Sequence, residues 1–302
     1  MEISHNADVL IIGGSYAGLS AAMALGRSMR SVVIIDSGKP CNQQTPHSHN
    51  FITQDGEKPA SIFTKARTQV LAYPTVQFFS ELALDGKKTN DGFEIRTDGG
   101  HIFTGKKILF ATGVKDLPHI QGIAACWGIS VLHCPYCHGY EVRNQHIGII
   151  GNGDVGFHLV KLLSNWTQRL TLFTNGLSTL TEEQRNKTQR HQIEIIEKEI
   201  SSLGHTNGQV ESIQFSDMTT YNGISAVFAR LPFEQHCALP QELGCEMTEQ
   251  GYIKADMMQK TSLHGVYAAG DNTSMMRSVS AAVAAGTMAG AAINVEIIEE
   301  EF

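Results

Sequence analysis

Two hydrophobic periods alternate along the chain. Residues 8–12 (DVLII) and 31–35 (SVVII) are short, unbroken apolar runs, the pattern of strands buried on both faces. LSAAMALGRS between them has the composition of a helix. Residues 146–166 repeat the theme with an apolar strand, a glycine turn and a helix, and residues 169–176 supply a following strand. Between the two copies, residues 93–113 alternate apolar and polar, turn at Asp98-Gly99-Gly100 and end in a buried strand, which predicts a small antiparallel sheet. Residues 181–192 are charged and helix-like, and residues 193–228 hold short strands with a turn at Asn207-Gly208. Residues 251–256 precede a strand in 265–272 that ends in Gly-Asp. An Ala/Gly-rich helix follows, and the acidic tail from 296 to 302 reads as its solvated end.

The turns carry the first chemistry. Gly13-Gly14-Ser15-Tyr16-Ala17-Gly18 joins the first strand to the first helix, and Asp36 ends the next strand. Strand, glycine turn, helix and a later acid form the dinucleotide fingerprint. Its glycines let the backbone approach a pyrophosphate, the helix N-terminus favours the negative charge, and the acid accepts ribose hydroxyls. Ser15 stands where the pattern has its second glycine; it is small enough to keep the approach close. The alternative is a turn in a doubly wound sheet that holds no nucleotide. In the second copy the turn is Gly151-x-Gly153-x-x-Gly156, but its next strand ends in Phe173-Thr174-Asn175-Gly176. No acid stands there for a ribose diol, and the nearest arginines, Arg185 and Arg190, lie in the next segment. The second frame lacks its specificity residues.

Composition narrows the class. The chain has 302 residues, 42% apolar and 18% charged, with a net charge of −7. That is enough for two globular domains, and the acidic balance argues against nucleic acid or an anionic membrane surface as the main partner. The N-terminus shows no basic segment followed by an apolar core, so no signal peptide is expected. Residues 278–294 are apolar through Ala and Gly rather than Leu and Ile, which favours a closely packed helix over a membrane span. A cytoplasmic location is expected.

Six cysteines are present, at 41, 126, 134, 137, 237 and 245, and only Cys134 and Cys137 are close in sequence. In HCPYCHGYE (133–141) that pair could be inert core, a metal site or a redox pair. Pro135, Tyr136 and Gly139 indicate a turn rather than a regular core element. Zinc needs four ligands, and Cys237 and Cys245 are eight apart, not a zinc-knuckle spacing, so no metal is expected. CPYC is also a glutaredoxin motif, but there it follows the first strand of a small domain of another fold. A redox disulfide remains, with His138 beside it to donate or accept a proton. Cys41, Cys126, Cys237 and Cys245 read as isolated core or surface residues, and Trp127 and Trp166 as packing.

Taken together and in order, GGSYAGLSAA, FATGVKDLP (110–118), CPYCHG, GNGDVG and GYIKAD…TSLHGVYAAGD resemble the thioredoxin-reductase family of flavoproteins over nearly the whole chain. The resemblance implies an α/β fold of two Rossmann-like, three-layer dinucleotide-binding domains, the second inserted in the first. The FAD domain would span 1–114 and 240–302, and the inserted NAD(P)-binding-like domain 115–239 would carry the CxxC. The family also implies a homodimer. By matching position, Gly13, Gly14, Ser15, Ala17 and Gly18 would hold the FAD pyrophosphate and Asp36 the adenosine ribose. Asn50 would lie near the flavin ring, Ala111, Thr112 and Gly113 would line the site, and Gly270 and Asp271 would meet the ribityl chain. Arg277, Ser278 and Val279 would face the pyrimidine end. Cys137 would be the flavin-side thiol and Cys134 the thiol that exchanges with substrate. His47 and His49 flank Asn50; loop polarity is the simpler reading, a place near the ring the alternative.

Two departures matter. His138 replaces the family's usual acid after the second cysteine, and FTNGLST replaces its basic NADPH motif. Losing arginine contacts to a 2′-phosphate removes charge-assisted bonds of about 1.5–3 kcal/mol each. The pattern is closer to dithiol oxidases and nicotinamide-independent relatives. The expectation is an FAD-dependent thiol–disulfide oxidoreductase acting through Cys134, Cys137 and His138 on a small dithiol or disulfide or on a thioredoxin-like protein, without tight NADPH binding. The rivals are an orthodox NADPH-dependent thioredoxin reductase and a flavin redox sensor without turnover.

Overall fold

The computed structural model describes residues 4–302. Two compact units share the chain: residues 4–43, 51–115 and 233–302 in the first, 44–50 and 116–232 in the second. This division differs from the expected boundaries by one residue at 115/116 and by more in two other places. The return to the first unit comes at 232/233 rather than 239/240, where Phe233–Gln235 pairs with Val114–Asp116 in a two-stranded ribbon. Residues 44–50, Asn50 included, group with the second unit.

The first unit is built on a seven-stranded sheet. Val76–Phe79, Val32–Ile35, Ser4–Ile12 and Ile102–Phe110 run parallel, in that order. The C-terminal half of Ile102–Phe110 also pairs parallel with Val266–Ala268, while its N-terminal half pairs antiparallel with Gly92–Thr97, and that strand with Ala83–Thr89. The first strand starts at Ser4, four residues before its apolar run, because Ser4, His5, Asn6 and Ala7 find backbone partners along Ile102 to Gly105. Apolar side chains fill both faces of the sheet, one core around Val9, Ile11 and Leu25, the other around Leu10, Phe103 and Phe110.

Helix Tyr16–Arg27 begins at the glycine turn and packs against the long helix Val279–Glu301. The second helix is long and apolar enough to cross a membrane by length and composition alone, with mean hydropathy 1.6. Its small residues have a different use here. A Cβ on Gly286 would stand 2.1 Å from the Ala17 carbonyl oxygen, and one on Gly290 2.7 Å from that of Ala21. The two backbones touch where side chains are missing, and the Ser20 hydroxyl donates to the Val283 carbonyl at 2.8 Å.

The acidic tail is not wholly solvated. Glu296 is buried and its carboxylate accepts from Lys107 Nζ at 2.8 Å, Lys260 Nζ at 2.7 Å and the Tyr267 hydroxyl at 2.7 Å. Lys107 is itself 3% exposed, so it needs this counter-charge. Burial works against the charged carboxylate of Glu296, but the three hydrogen bonds outweigh it and hold its pKa down at about 2.

The second unit repeats the first on a smaller scale. Glu194–Ile196, Leu170–Phe173, Ile147–Ile150, Ala226–Ala229 and Val131–Leu132 form a five-stranded parallel sheet in that order. The strand expected over 169–176 stops at Phe173. A separate three-stranded antiparallel sheet comprises Ile200–Thr206, Gln209–Phe215 and Thr220–Asn222, with the predicted Asn207-Gly208 turn at positive φ. Helix Glu182–Arg190 opens with a capping box: Thr181 Oγ1 accepts from Gln184 N, and Gln184 Oε1 accepts from Thr181 N.

Two substitutions test these contacts. Gly286→Ala drives a methyl group into backbone, and overpacking of about 1–3 kcal/mol should outweigh a helix-propensity gain of up to about 1 kcal/mol. Thermal unfolding should show a lower Tm. Glu296→Gln should cost about 3 kcal/mol at neutral pH by leaving Lys107 under-compensated. Because the folded pKa of Glu296 is depressed, its contribution is complete above about pH 5 and lost as pH falls towards about 2. Urea unfolding of the variant should therefore depend less on pH across that window than the wild type.

Candidate active site

The first glycine turn is set by close backbone approach. Gly13 has φ +101°, and a Cβ there would lie 2.3 Å from the Ala111 carbonyl oxygen. A Cβ on Gly18 would lie 1.9 Å from the Gly13 carbonyl oxygen. Ser15 is the N-cap of Tyr16–Arg27 and makes no side-chain capping bond, so its hydroxyl does not cover the first-turn N–H groups. Asp36 follows Val32–Ile35; one carboxylate oxygen accepts from Gly14 N at 2.5 Å and the other from Gly38 N at 2.8 Å.

The other predicted residues of this unit gather at the same strand ends. Ala111 N donates to Ile12 O at 2.7 Å, placing Ala111, Thr112 and Gly113 beside the turn. Gly270 is directed at Ala17, 3.2 Å from a built Cβ to the Ala17 methyl. Asp271 Oδ2 lies 3.7 Å from Arg277 Nε, and Ser278 caps helix Val279–Glu301 by accepting from Ala281 N at 3.2 Å. Two residues missed by sequence reasoning join them. Asn272 is fully buried; its amide nitrogen donates to Phe110 O at 2.9 Å, but its Oδ1 has no partner. Gln235 bridges Gly251 O and Asn272 O through Nε2, and its Oε1 is likewise buried and unpartnered. Position beside the Gly-Asp pair was the only sequence signal for Asn272; nothing marked Gln235. Asn50 belongs to the second unit and has φ +59°.

The second glycine turn is closed by its own chain. Gly151, Gly153 and Gly156 form the expected turn into helix Gly153–Leu163. Asn152 caps that helix, its Oδ1 accepting from Gly153 N at 2.8 Å. The same side chain ties down the loop after Phe173: Oδ1 also accepts from Thr179 N at 2.8 Å, and Nδ2 donates to Leu177 O at 2.9 Å and Thr174 O at 3.3 Å. A Cβ on Gly153 would meet Thr179 Oγ1 at 2.9 Å. Arg185 is engaged by Glu197 at 2.7 Å, and Glu197 also accepts from Ser178 N. The loop is tied to the glycine turn, and the nearer arginine is already paired with an acid.

In the same unit, Val131–Leu132 leads into a single helical turn, Pro135–His138. Cys134 caps that turn; Cys137 N and His138 N both donate to its carbonyl, at 3.1 and 3.2 Å. Pro135 at the first helical position fixes the entry, and Cys134 and Cys137 are joined as a disulfide, with Cα atoms 5.3 Å apart. The turn rests on Trp166: a Cβ on Gly139 would meet its ring at 3.0 Å, and Tyr136 stands edge-on to it at 5.7 Å. His138 is half-buried. Burial pushes its pKa down, Glu141 pulls it up and His49 pushes it down again, with the net effect below the ordinary value. A neutral imidazole beside a disulfide is a proton acceptor. Of the other cysteines, Cys126, Cys237 and Cys245 have thiols pushed up by burial, and Cys41 is exposed.

Comparison with known proteins fits this arrangement. The family profile described as pyridine nucleotide-disulphide oxidoreductase matches residues 7–286. The chain belongs to that family. It is 32% identical to thioredoxin reductase tcpT of Claviceps purpurea (strain 20.1), over 99% of this chain and 97% of that one. Among solved structures, it is similar to an oxidoreductase from Agrobacterium tumefaciens (34% identity, 99% of both chains, TM-score 0.89). A putative thioredoxin reductase TrxB from Bacillus anthracis also matches (30% identity, 98% of this chain and 100% of that one, TM-score 0.92). The protein is a thioredoxin-reductase-like flavoprotein disulfide oxidoreductase.

The family implies FAD, and the first unit fits it. The glycine turn keeps its backbone free of Cβ atoms, the N-terminus of helix Tyr16–Arg27 follows it, and the carboxamide oxygens of Asn272 and Gln235 are buried acceptors without donors. An unpaired buried acceptor costs about 1–3 kcal/mol; a bound group with N–H or O–H donors would recover that. In the second unit Asn152 ties the loop after Phe173 to the glycine turn.

Asn152→Ala removes a cap and four tethers together. It should cost about 1–2 kcal/mol and loosen residues 174–179. Limited proteolysis should then cut that loop faster than in the wild type, with little change in flavin content.

Proposed function

We propose that this chain is an FAD-dependent thiol–disulfide oxidoreductase that exchanges electrons between a dithiol substrate and the Cys134–Cys137 pair without tight NADPH binding. The observation that carries the nicotinamide part is the Asn152-tethered loop across the second glycine turn, together with the Arg185–Glu197 pair. The redox part rests on the disulfide, the neutral-leaning His138 beside it and the FAD-fitting cradle of the first unit. Substrates of the reading are a small dithiol or a thioredoxin-like protein. A homodimer and a cytoplasmic location belong to the proposal through the family resemblance.

One thiol of the substrate gives its proton to His138 and attacks Cys134, and Cys137 leaves as the thiolate. The second substrate thiol then attacks its neighbour's sulfur and releases Cys134. FAD, when bound, supplies a two-electron acceptor that returns the pair to the disulfide. In the first unit Gly13, Gly14, Ser15, Ala17 and Gly18 would hold the pyrophosphate and Asp36 the ribose. Ala111 to Gly113, Gly270, Asp271 and Asn272 would line the flavin end, with Arg277, Ser278 and Val279 at the start of the last helix.

The second reading is an NADPH-dependent thioredoxin reductase, which the names of the Claviceps and Bacillus relatives favour. Anaerobic titration of the flavin-loaded protein separates the two. A dithiol should bleach the visible flavin band, and Cys134→Ser or Cys137→Ser should abolish the response. NADPH and NADH should bleach it only slowly. Rapid bleaching by micromolar NADPH would select the second reading.

A further inference from the structure

Oxidising a dithiol releases two protons, and one imidazole cannot hold both. His138 must be emptied between the two exchange steps. The groups that face it suggest how. The His49 ring stands perpendicular to it, at 88°, with centroids 6.3 Å apart. His49 Nδ1 lies 3.6 Å from Glu141 Oε1. All three belong to the second unit: His138 and Glu141 on the redox turn and just after it, His49 on the segment 44–50. Exposure rises outwards, from half-buried His138 to 20% for the His49 side chain and 38% for Glu141.

We infer that His49 and Glu141 are positioning residues that set the proton affinity of His138 and carry its proton to solvent during thiol–disulfide exchange at Cys134–Cys137. The inference rests on the proposed dithiol chemistry and assigns roles to two residues that the sequence left as loop polarity and as an unremarked surface acid.

The balance is simple. In the first step the substrate thiol's proton goes to His138, a substrate–Cys134 bond forms, the Cys134–Cys137 bond breaks, and its electron pair stays on Cys137. The imidazolium, which faces the His49 ring, loses its proton outwards through the His49–Glu141 pair. In the second step the other substrate thiol gives its proton to the emptied imidazole. A substrate disulfide forms and the electron pair of the broken bond stays on Cys134. One dithiol and one enzyme disulfide become one substrate disulfide, two enzyme thiolates and two protons.

The titratable groups facing His138 are Glu141 from its own segment and His49 from the packed one, with Cys137 beside it in the chain. After burial, Glu141 raises its pKa and His49 lowers it. Removing each should therefore act in opposite directions. Histidine NMR titration of the oxidised, flavin-loaded protein, with the resonance assigned through His138→Gln, reads this directly. Glu141→Gln should lower the His138 midpoint and His49→Gln should raise it. Stopped-flow bleaching by dithiothreitol, followed across pH 5 to 9 on the scale of about the reference imidazole value, should shift its pH midpoint the same way. Each variant should also slow bleaching about tenfold, within the range of acid–base effects, and Glu141→Asp should recover most of the rate.

Parallel shifts, or unshifted profiles in variants that bind flavin and unfold like the wild type, would overturn the relay. Failure of the underlying reading looks different: dithiothreitol would then not bleach the wild-type flavin, or would do so equally in Cys134→Ser.

Discussion

The backbone of helix Tyr16–Arg27 is pinned on two sides by contacts that only missing side chains permit. On one side Gly18 lets the helix approach Gly13 O, where a Cβ would lie at 1.9 Å. On the other, Gly286 brings the last helix against Ala17 O, where a Cβ would lie at 2.1 Å. Packed interiors do not absorb such overlaps by deforming continuously. The helix therefore has one seat, and that seat fixes everything that leans on it. The turn before it meets Ala111, Gly270 meets Ala17, and Asp36 reaches Gly14 N. Residues from both ends of the chain converge because one helix is held without slack.

The second unit shows that the same frame need not serve the same purpose. Its glycine turn and capped helix are intact, yet one asparagine redirects them. Asn152 uses both ends of its carboxamide on the loop that follows Phe173, and its oxygen also accepts from Gly153 N at the helix N-terminus. A ligand would have to replace four bonds to open the turn, and Arg185 would have to leave Glu197 to meet it. Each exchange costs a good hydrogen bond before any is gained. The proposal of weak nucleotide binding therefore rests on this physical ground as well as on the missing motif.

Much of the fold was legible because it is written in local patterns. The buried runs at 8–12 and 31–35, the glycine turns and the Asn207-Gly208 hairpin all stand where the periodicity places them. What stayed hidden depends on partners far away in sequence. The polar start of the first strand is ordered by Ile102 to Gly105, and the acidic tail is half-buried because Lys107 and Lys260 need Glu296. Asn272 and Gln235 carry no motif, since a buried unpaired oxygen is a property of three dimensions. In the candidate site the CxxC and His138 were visible from spacing. His49 and Glu141 were not, because the contact joins segments about ninety residues apart.

The replacement of an acid by His138 beside the second cysteine gains meaning from Glu141. A carboxylate in contact with the pair would have an ordinary pKa of about 4.3, far below that of a thiol, whereas an imidazole starts near about 6.5. Proton transfer is most effective when the acceptor titrates close to the working pH. Here His138 follows Cys137 in sequence, and Glu141 raises a proton affinity that burial has lowered. The same logic separates Cys134 and Cys137 from the other buried thiols. Cys126, Cys237 and Cys245 are pushed up by burial. Burial thus favours the protonated thiol at these three positions, whereas Cys134 and Cys137 are joined as the disulfide that His138 follows in sequence.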